Sequence, residues 1–202
     1  MNKAIRTSVV RTRFFFCLLT ICWLSSCAMS PQTIAIKPDL KVSSMPIGRG
    51  RSLAVTTRDL RSNTSMGARG GLYNSAELTT DSRMTQSITQ ESIKVLQSWD
   101  FAAVPVALSN RTMPVFTVEM VDIDYQRPAS SVGGNVSIKC RVAVKVDMGN
   151  STFSGEYSSK RSETVAVQAT SSGNVRLVNE TVTQALEQIF KDPKLQRFLA
   201  NY

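Results

Sequence analysis

The chain has 202 residues, 42% of them hydrophobic, which is enough for one domain with a sizeable core. Its formal charge is +9, but Lys3, Arg6, Arg11 and Arg13 stand ahead of an apolar run in an acid-free stretch of 26 residues, beyond which 20 basic residues face 15 acidic ones. Those cations are scattered and no stripe of stacking aromatics accompanies them, which argues against nucleic-acid binding; the lack of any histidine removes Ser-His-Asp and Cys-His catalysis and the commonest zinc ligand.

Residues 1–13 are basic and polar, and Phe14 to Leu24 form an apolar run of eleven residues. A helix needs ~20 residues to cross a bilayer, so this is an export signal rather than an anchor helix. The following Leu24-Ser25-Ser26-Cys27 resembles the lipobox of bacterial lipoprotein precursors. That resemblance implies lipid transfer to the Cys27 thiol, cleavage between Ser26 and Cys27, and acylation of the new N-terminus. Several acyl chains hold where one is marginal. Ala28 is not the aspartate that retains such proteins at the inner membrane, so the resemblance implies the outer membrane, with the domain in the periplasm. Cys17 and Cys22 leave with the signal, and the mature domain keeps Cys140 alone, without an intramolecular disulfide.

The expected organisation is a signal peptide over 1–26, a tether over 27–50 and a single α+β domain over 51–202. The tether holds Pro31, Pro38 and Pro46, with room for a short strand at Thr33-Ile34-Ala35-Ile36. Leu53, Val55 and Thr57 alternate as a strand. Residues 61–79, with Gly67, Gly70 and Gly71, read as a loop. A helix is expected over 81–99, capped by Asp81 or Ser82, with Met84, Ile88, Val95 or Leu96, and Trp99 inward. Phe101 to Leu108 hold another short strand.

Val115 to Tyr125 alternate with a break in phase, which a β-bulge near Met120 reconciles. Seven apolar residues from Val136 to Met148 then occupy alternate positions, a strand with one dry and one wet face. Gly149-Asn150 is a hairpin signal that sets Phe153 opposite Val146, Gly155 opposite Val144 and Tyr157 opposite Val142. Upstream, Ile123 is expected to face Ile138 and Asp122 to face Lys139. A helix over 174–191 turns Val175, Val178, Val182, Leu186 and Ile189 inward. Asp192-Pro193 caps a last short helix whose apolar side is Leu195, Phe198 and Leu199. The fold expected from this order is an antiparallel sheet with a three-strand meander and helices packed on one face.

No Ser-x-x-Lys, Gly-x-Ser-x-Gly or Walker phosphate loop is present. Gly67 to Gly71 could cradle an anion, but glycines in a loop usually only make turns. Asp122 and Asp124, two apart on one strand, could hold a cation or divide acid and base roles; a solvated face paired with Lys139 is the simpler reading. Cys140 sits on the apolar side as a small core residue. The wet faces of this strand and the next carry Lys139, Arg141, Lys145, Ser154, Ser158 and Lys160; Lys139, Arg141 and Lys145 are the candidate ligand-binding residues. No catalytic residue, metal ligand or cofactor is expected.

The mature chain resembles the YajG-like lipoprotein family. The likeness rests on Cys27-Ala28 with Pro31 to Pro38, on the strand and hairpin Val136 to Tyr157, and on the closing helix Asp192 to Asn201. It implies an anchored envelope protein without a defined activity. The expected function is therefore a non-enzymatic accessory or binding subunit held to the membrane by lipid, with an envelope protein or glycan as partner. The alternative is direct binding of peptidoglycan or lipopolysaccharide by the basic sheet face.

Overall fold

Strict apolar alternation makes β7 (Gly134–Asp147) the spine of the sheet, with Val136, Ile138, Cys140, Val142, Val144 and Val146 all buried on one side. It is flanked by β6 (Val115–Gln126) and β8 (Thr152–Val165), both antiparallel to it. The β7–β8 hairpin has the expected register, with Val142 opposite Tyr157, Val144 opposite Gly155 and Val146 opposite Phe153. Gly149 supplies the turn with a φ of +83°. The computed structural model describes residues 30–71, 74–109, 112–127, 134–165 and 170–201, and those from Pro31 onward form one compact unit.

The bulge in β6 falls between Met120 and Asp122, where the phase break predicts it. The register beyond it differs from the expectation: Ile123 faces Cys140 rather than Ile138, and Asp122 faces Arg141 rather than Lys139. Apolar alternation specifies the face but not the offset. A slip of two residues keeps every apolar side chain on the dry side.

The sheet is not an antiparallel one. Its other strands are β1 (Gln32–Ile34), β2 (Ser52–Asp59), β3 (Ser65–Gly71), β4 (Asn74–Thr80) and β5 (Ala102–Pro105). β2 and β3 lie along the same edge of β6 and parallel to it, β2 against Val115 to Met120 and β3 at Tyr125. β5 is parallel to β2, and β1 is parallel to β4. The eight strands thus form one mixed sheet that branches at β6. Parallel pairing follows from the long connection between β2 and β6, which carries a helix; only such a crossover returns a strand in the same direction.

The expected loop at 61–79 contains the β3–β4 hairpin instead. β3 carries few apolar side chains, so the period-2 signal is weak, yet its backbone pairs regardless. Among the described residues of this hairpin Met66, Ala76, Leu78 and Thr80 are buried. Gly67, at φ +127°, touches β6 so closely that a Cβ there would lie 2.5 Å from the Tyr125 carbonyl oxygen.

Three helices cover the dry side: α1 (Met84–Ser98), α2 (Ser171–Lys191) and α3 (Pro193–Ala200). Met84, Ile88, Val95 and Leu96 of α1 and Val178, Val182, Leu186 and Ile189 of α2 join the sheet in one apolar cluster. Val175 lies at the rim, 37% exposed, rather than inward. Neither Asp81 nor Ser82 caps α1; Arg83 holds that position without a side-chain cap bond. Asp192 caps α3 as expected, accepting from the Lys194 amide at 2.7 Å with Pro193 in the first turn. It also accepts from the Tyr157 hydroxyl at 2.6 Å, which ties α3 to β8.

Residues 31–47, expected to be part of a free tether, are a strap bound to the domain. Ile34 and Ile36 are buried, and Leu40, Val42, Met45 and Ile47 pack against the core. Asn179 of α2 accepts from the Lys37 amide at 2.6 Å and donates to the Ala35 carbonyl at 3.1 Å. Glu187, two turns further, accepts from the Lys41 amide at 2.9 Å. The Trp99 indole donates to the Ser43 carbonyl at 2.9 Å, and Gly48 and Gly50 donate to the carbonyls of Trp99 and Asp100, each at 2.7 Å. Prolines suit this strap beyond β1 because there side chains, not a continued ladder, bind its backbone. A Cβ on Gly48 would lie 2.4 Å from the Asp100 carbonyl carbon, so the strap closes backbone against backbone.

Candidate functional site: the polar face of the meander

Lys139, Arg141 and Lys145 project from the solvent side of β7, as alternation requires. Their neighbours come from the ladder. Lys139 stands between Asp124 on β6 and Lys160 on β8; Arg141 stands between Asp122 and Ser158. Arg141 reaches Asp122 at 3.6 Å and Glu156 at 3.7 Å. Lys145 is flanked by Thr117 and Ser154. Across β2, β6, β7 and β8 this face carries Arg58, Lys139, Arg141, Lys145 and Lys160 against Glu119, Asp122, Asp124, Asp147 and Glu156. Five cations and five carboxylates interleave, so the face has no net field to draw an anionic polymer. The sequence pattern displays β7's cations; the carboxylates that answer them lie on β6 and β8.

The two aspartates share the face but each opposes its own cation, and they do not converge on a common point. Among the described residues no group of three or more acidic or cysteine side chains is placed to hold a metal ion. Gly67 to Gly71 are strand rather than an anion-cradling loop, and Arg69 of that stretch turns to Ser171, donating to its hydroxyl at 3.0 Å and to Gln32 at 3.3 Å.

Cys140 lies under the sheet with its sulfur 3.9 Å from that of Met120. Burial, helped by the Asp122 charge and partly opposed by Arg61, pushes its thiol up to about 12. A thiol held there is not a nucleophile at neutral pH. In the folded chain at pH 8 Cys140 is expected to resist a disulfide reagent for hours and to react at once in denaturant; rapid native labelling would contradict its burial.

Where β6 and β7 approach their loop, the polar face dips into an open hollow of about 760 Å³. Tyr125, Gln126, Arg127, Asn135, Ser137, Lys160 and Ser162 line it with Ala68, and among the described residues no carboxylate does. Alternation in the sequence places Lys160 on this face, whereas Arg127, one residue beyond β6, carries no such signal. Cys27 and Ser26 lie outside the described residues.

Fold and face together define a mixed sheet backed by helices, with a charge-balanced outer surface and no catalytic constellation among the described residues. The chain belongs to a family of uncharacterised lipoproteins, whose model matches residues 38–200. No curated protein matches it. Protein XCC0632 from Xanthomonas campestris, of the family DUF330, is similar in fold at a TM-score of 0.50 and 10% identity, covering 78% of this chain and 91% of that one. Lipoprotein GNA1162 from Neisseria meningitidis gives a TM-score of 0.41 at 10% identity over 70% of this chain and 99% of that one. A neuraminyllactose-binding hemagglutinin homolog from Helicobacter pylori gives 0.39 at 8% identity, over 81% and 96%. Among the described residues no helix is long and apolar enough to cross a membrane.

Proposed function

We propose that this protein is a YajG-like accessory lipoprotein of the outer membrane, cleaved between Ser26 and Cys27, lipidated on Cys27, and held with its domain in the periplasm close to the bilayer. The observation that carries this reading is where the fold begins. Membership in a lipoprotein family supports an anchor, and the domain starts at Pro31, four residues after the start of the proposed mature chain. Four extended residues span at most about 14 Å. The domain therefore works at the membrane surface, not at the end of a long leash, and acts by binding rather than catalysis. Its partner is an envelope protein or glycan.

Labelled palmitate should mark the wild-type band and not a Cys27→Ser variant, which should retain its signal peptide or leave the membrane fraction. A Cys27→Ser chain that matures and fractionates unchanged would overturn the anchor. Lengthening residues 28–30 with a flexible insert should weaken function without reducing lipidation, which separates the short span from the anchor itself.

A second reading is favoured by the hollow, whose described lining brings Arg127 and Lys160 to one open recess: there they receive an anionic envelope lipid or glycan. Arg127→Ser should then lower binding to anionic phospholipid vesicles or to lipopolysaccharide, while Lys145→Ser, on the charge-balanced part of the face, should not. Equal effects of the two substitutions would refute it.

A further inference from the structure

The sheet ends on strands of very different kinds. β1 and β5 are three and four residues long, and β5 stops at Pro105. Short strands and prolines are the usual ways of blunting an edge. β8 has neither: it runs 14 residues without proline or register shift and, among the described strands, pairs only with β7. Its outer row of amides and carbonyls is a template for another strand. We propose that this edge binds a second copy of the chain, antiparallel about a two-fold axis at Ser158, so that the two sheets continue into one.

Backbone geometry and charge together select that register. In an antiparallel ladder, opposed residues either exchange both hydrogen bonds or neither. Alternate residues of β8 already spend theirs on β7, so even positions must face even ones and odd must face odd. Two such registers overlap over thirteen residues, one setting Thr152 opposite Thr164 and the other Phe153 opposite Val165. The first places Glu156 opposite Lys160 twice, once on each side of the axis, with the small residues Ser154, Ser158 and Ser162 between and beyond them. The second opposes both charges to serines and leaves them unmatched. Glu156 and Lys160 are both exposed, and Glu156 meets its own Arg141 only loosely, at 3.7 Å. The two-fold arrangement is self-complementary and closed, and it leaves the polar faces of both copies on one side. It needs no lipid on Cys27.

The test uses the full chain in its own membrane. Opposed Cα atoms in such a ladder are about 4.5–5.5 Å apart, within the span a disulfide bridges, so Ser158→Cys should form a dimer cross-link under mild oxidation. Ser154→Cys, far from its own copy, should form none. Buried Cys140 contributes no background. In the Ser158→Cys chain, Glu156→Lys should cut cross-linking about tenfold, since two exposed attractions become repulsions, and adding Lys160→Glu should restore it. The proposal fails if Ser158→Cys labels readily with maleimide yet gives no dimer, if it cross-links to a different protein instead, or if the double charge swap does not recover what the single one loses.

Discussion

Trp99→Ala is expected to lower the unfolding free energy by about 3–5 kcal/mol, the range for deleting a large buried aromatic. Trp99 closes α1 and is fully buried. Its ring meets Phe190 of α2 edge-on at 5.7 Å, and Phe190 stacks on Phe116 of β6 at 5.7 Å. Its indole nitrogen holds the strap at Ser43, and its carbonyl receives the Gly48 amide. One side chain thus joins two helices, the sheet and the N-terminal strap. Trp99→Phe keeps most of the packing but loses the bond to the carbonyl of the exposed Ser43, at a cost of about 0.5–1.5 kcal/mol. Hydrogen exchange at residues 43–50 should rise more in the Phe variant than exchange in β7. Urea unfolding followed by circular dichroism measures the Ala variant, and a loss below about 1 kcal/mol would refute the central role of Trp99.

Asp59→Ala should cost about 2–4 kcal/mol, toward the lower side of what breaking a buried ion pair costs. The Arg61 side chain is 5% exposed, and its Nε and Nη2 reach the two Asp59 oxygens at 2.8 Å each. Nη2 also donates to Thr80 at 2.7 Å. Removing the carboxylate strands a desolvated guanidinium, whereas the opposite deletion leaves an acid that water can still reach. The same pair shapes the response to acid. Burial alone would raise the Asp59 carboxyl, but the hydrogen bonds and charge of Arg61 outweigh it and hold the group below its ordinary 3.8. A depressed folded-state value means stability that is fully present above about pH 4 and is lost as pH falls through the lowered value. Asp59→Ala should therefore flatten the slope of stability against pH in that acid window. An unchanged slope would show that Asp59 takes no part in acid unfolding.

Much of the local structure was legible from spacing. The dry face of β7, the β7–β8 register, the bulge at Met120, the inward side of α1 and the Asp192-Pro193 cap each depend on residues a few positions apart, or on one short turn. Other features have no local signature. β3 reads as a loop in sequence because its glycines suppress the alternating signal, although its backbone pairs with β4 on both sides of an irregularity at Met66. The strap reads as a tether in sequence because it is rich in proline, while Asn179 and Glu187, which bind it, lie more than 140 positions away. For the candidate site, alternation revealed that Lys139, Arg141 and Lys145 share one face. It also places Asp122 and Asp124 beside them, but not which cation each carboxylate meets, nor that Arg58 and Glu119 join the face across β2.

By itself, the sequence determined the basic-then-apolar N-terminal pattern that resembles an export signal and lipobox, the lack of any histidine for catalysis, and which side of each regular element is apolar. These depend on residue identity and on periods of two and 3.6, which neighbouring positions carry. The tertiary structure decided that β2 and β3 run parallel to β6, that residues 31–47 are a strap, and that the meander's outer face is balanced in charge. Strand direction, a two-residue offset and the partner of a charge all depend on which distant backbone segment comes alongside, and a chain's periodicity is the same whichever segment that is.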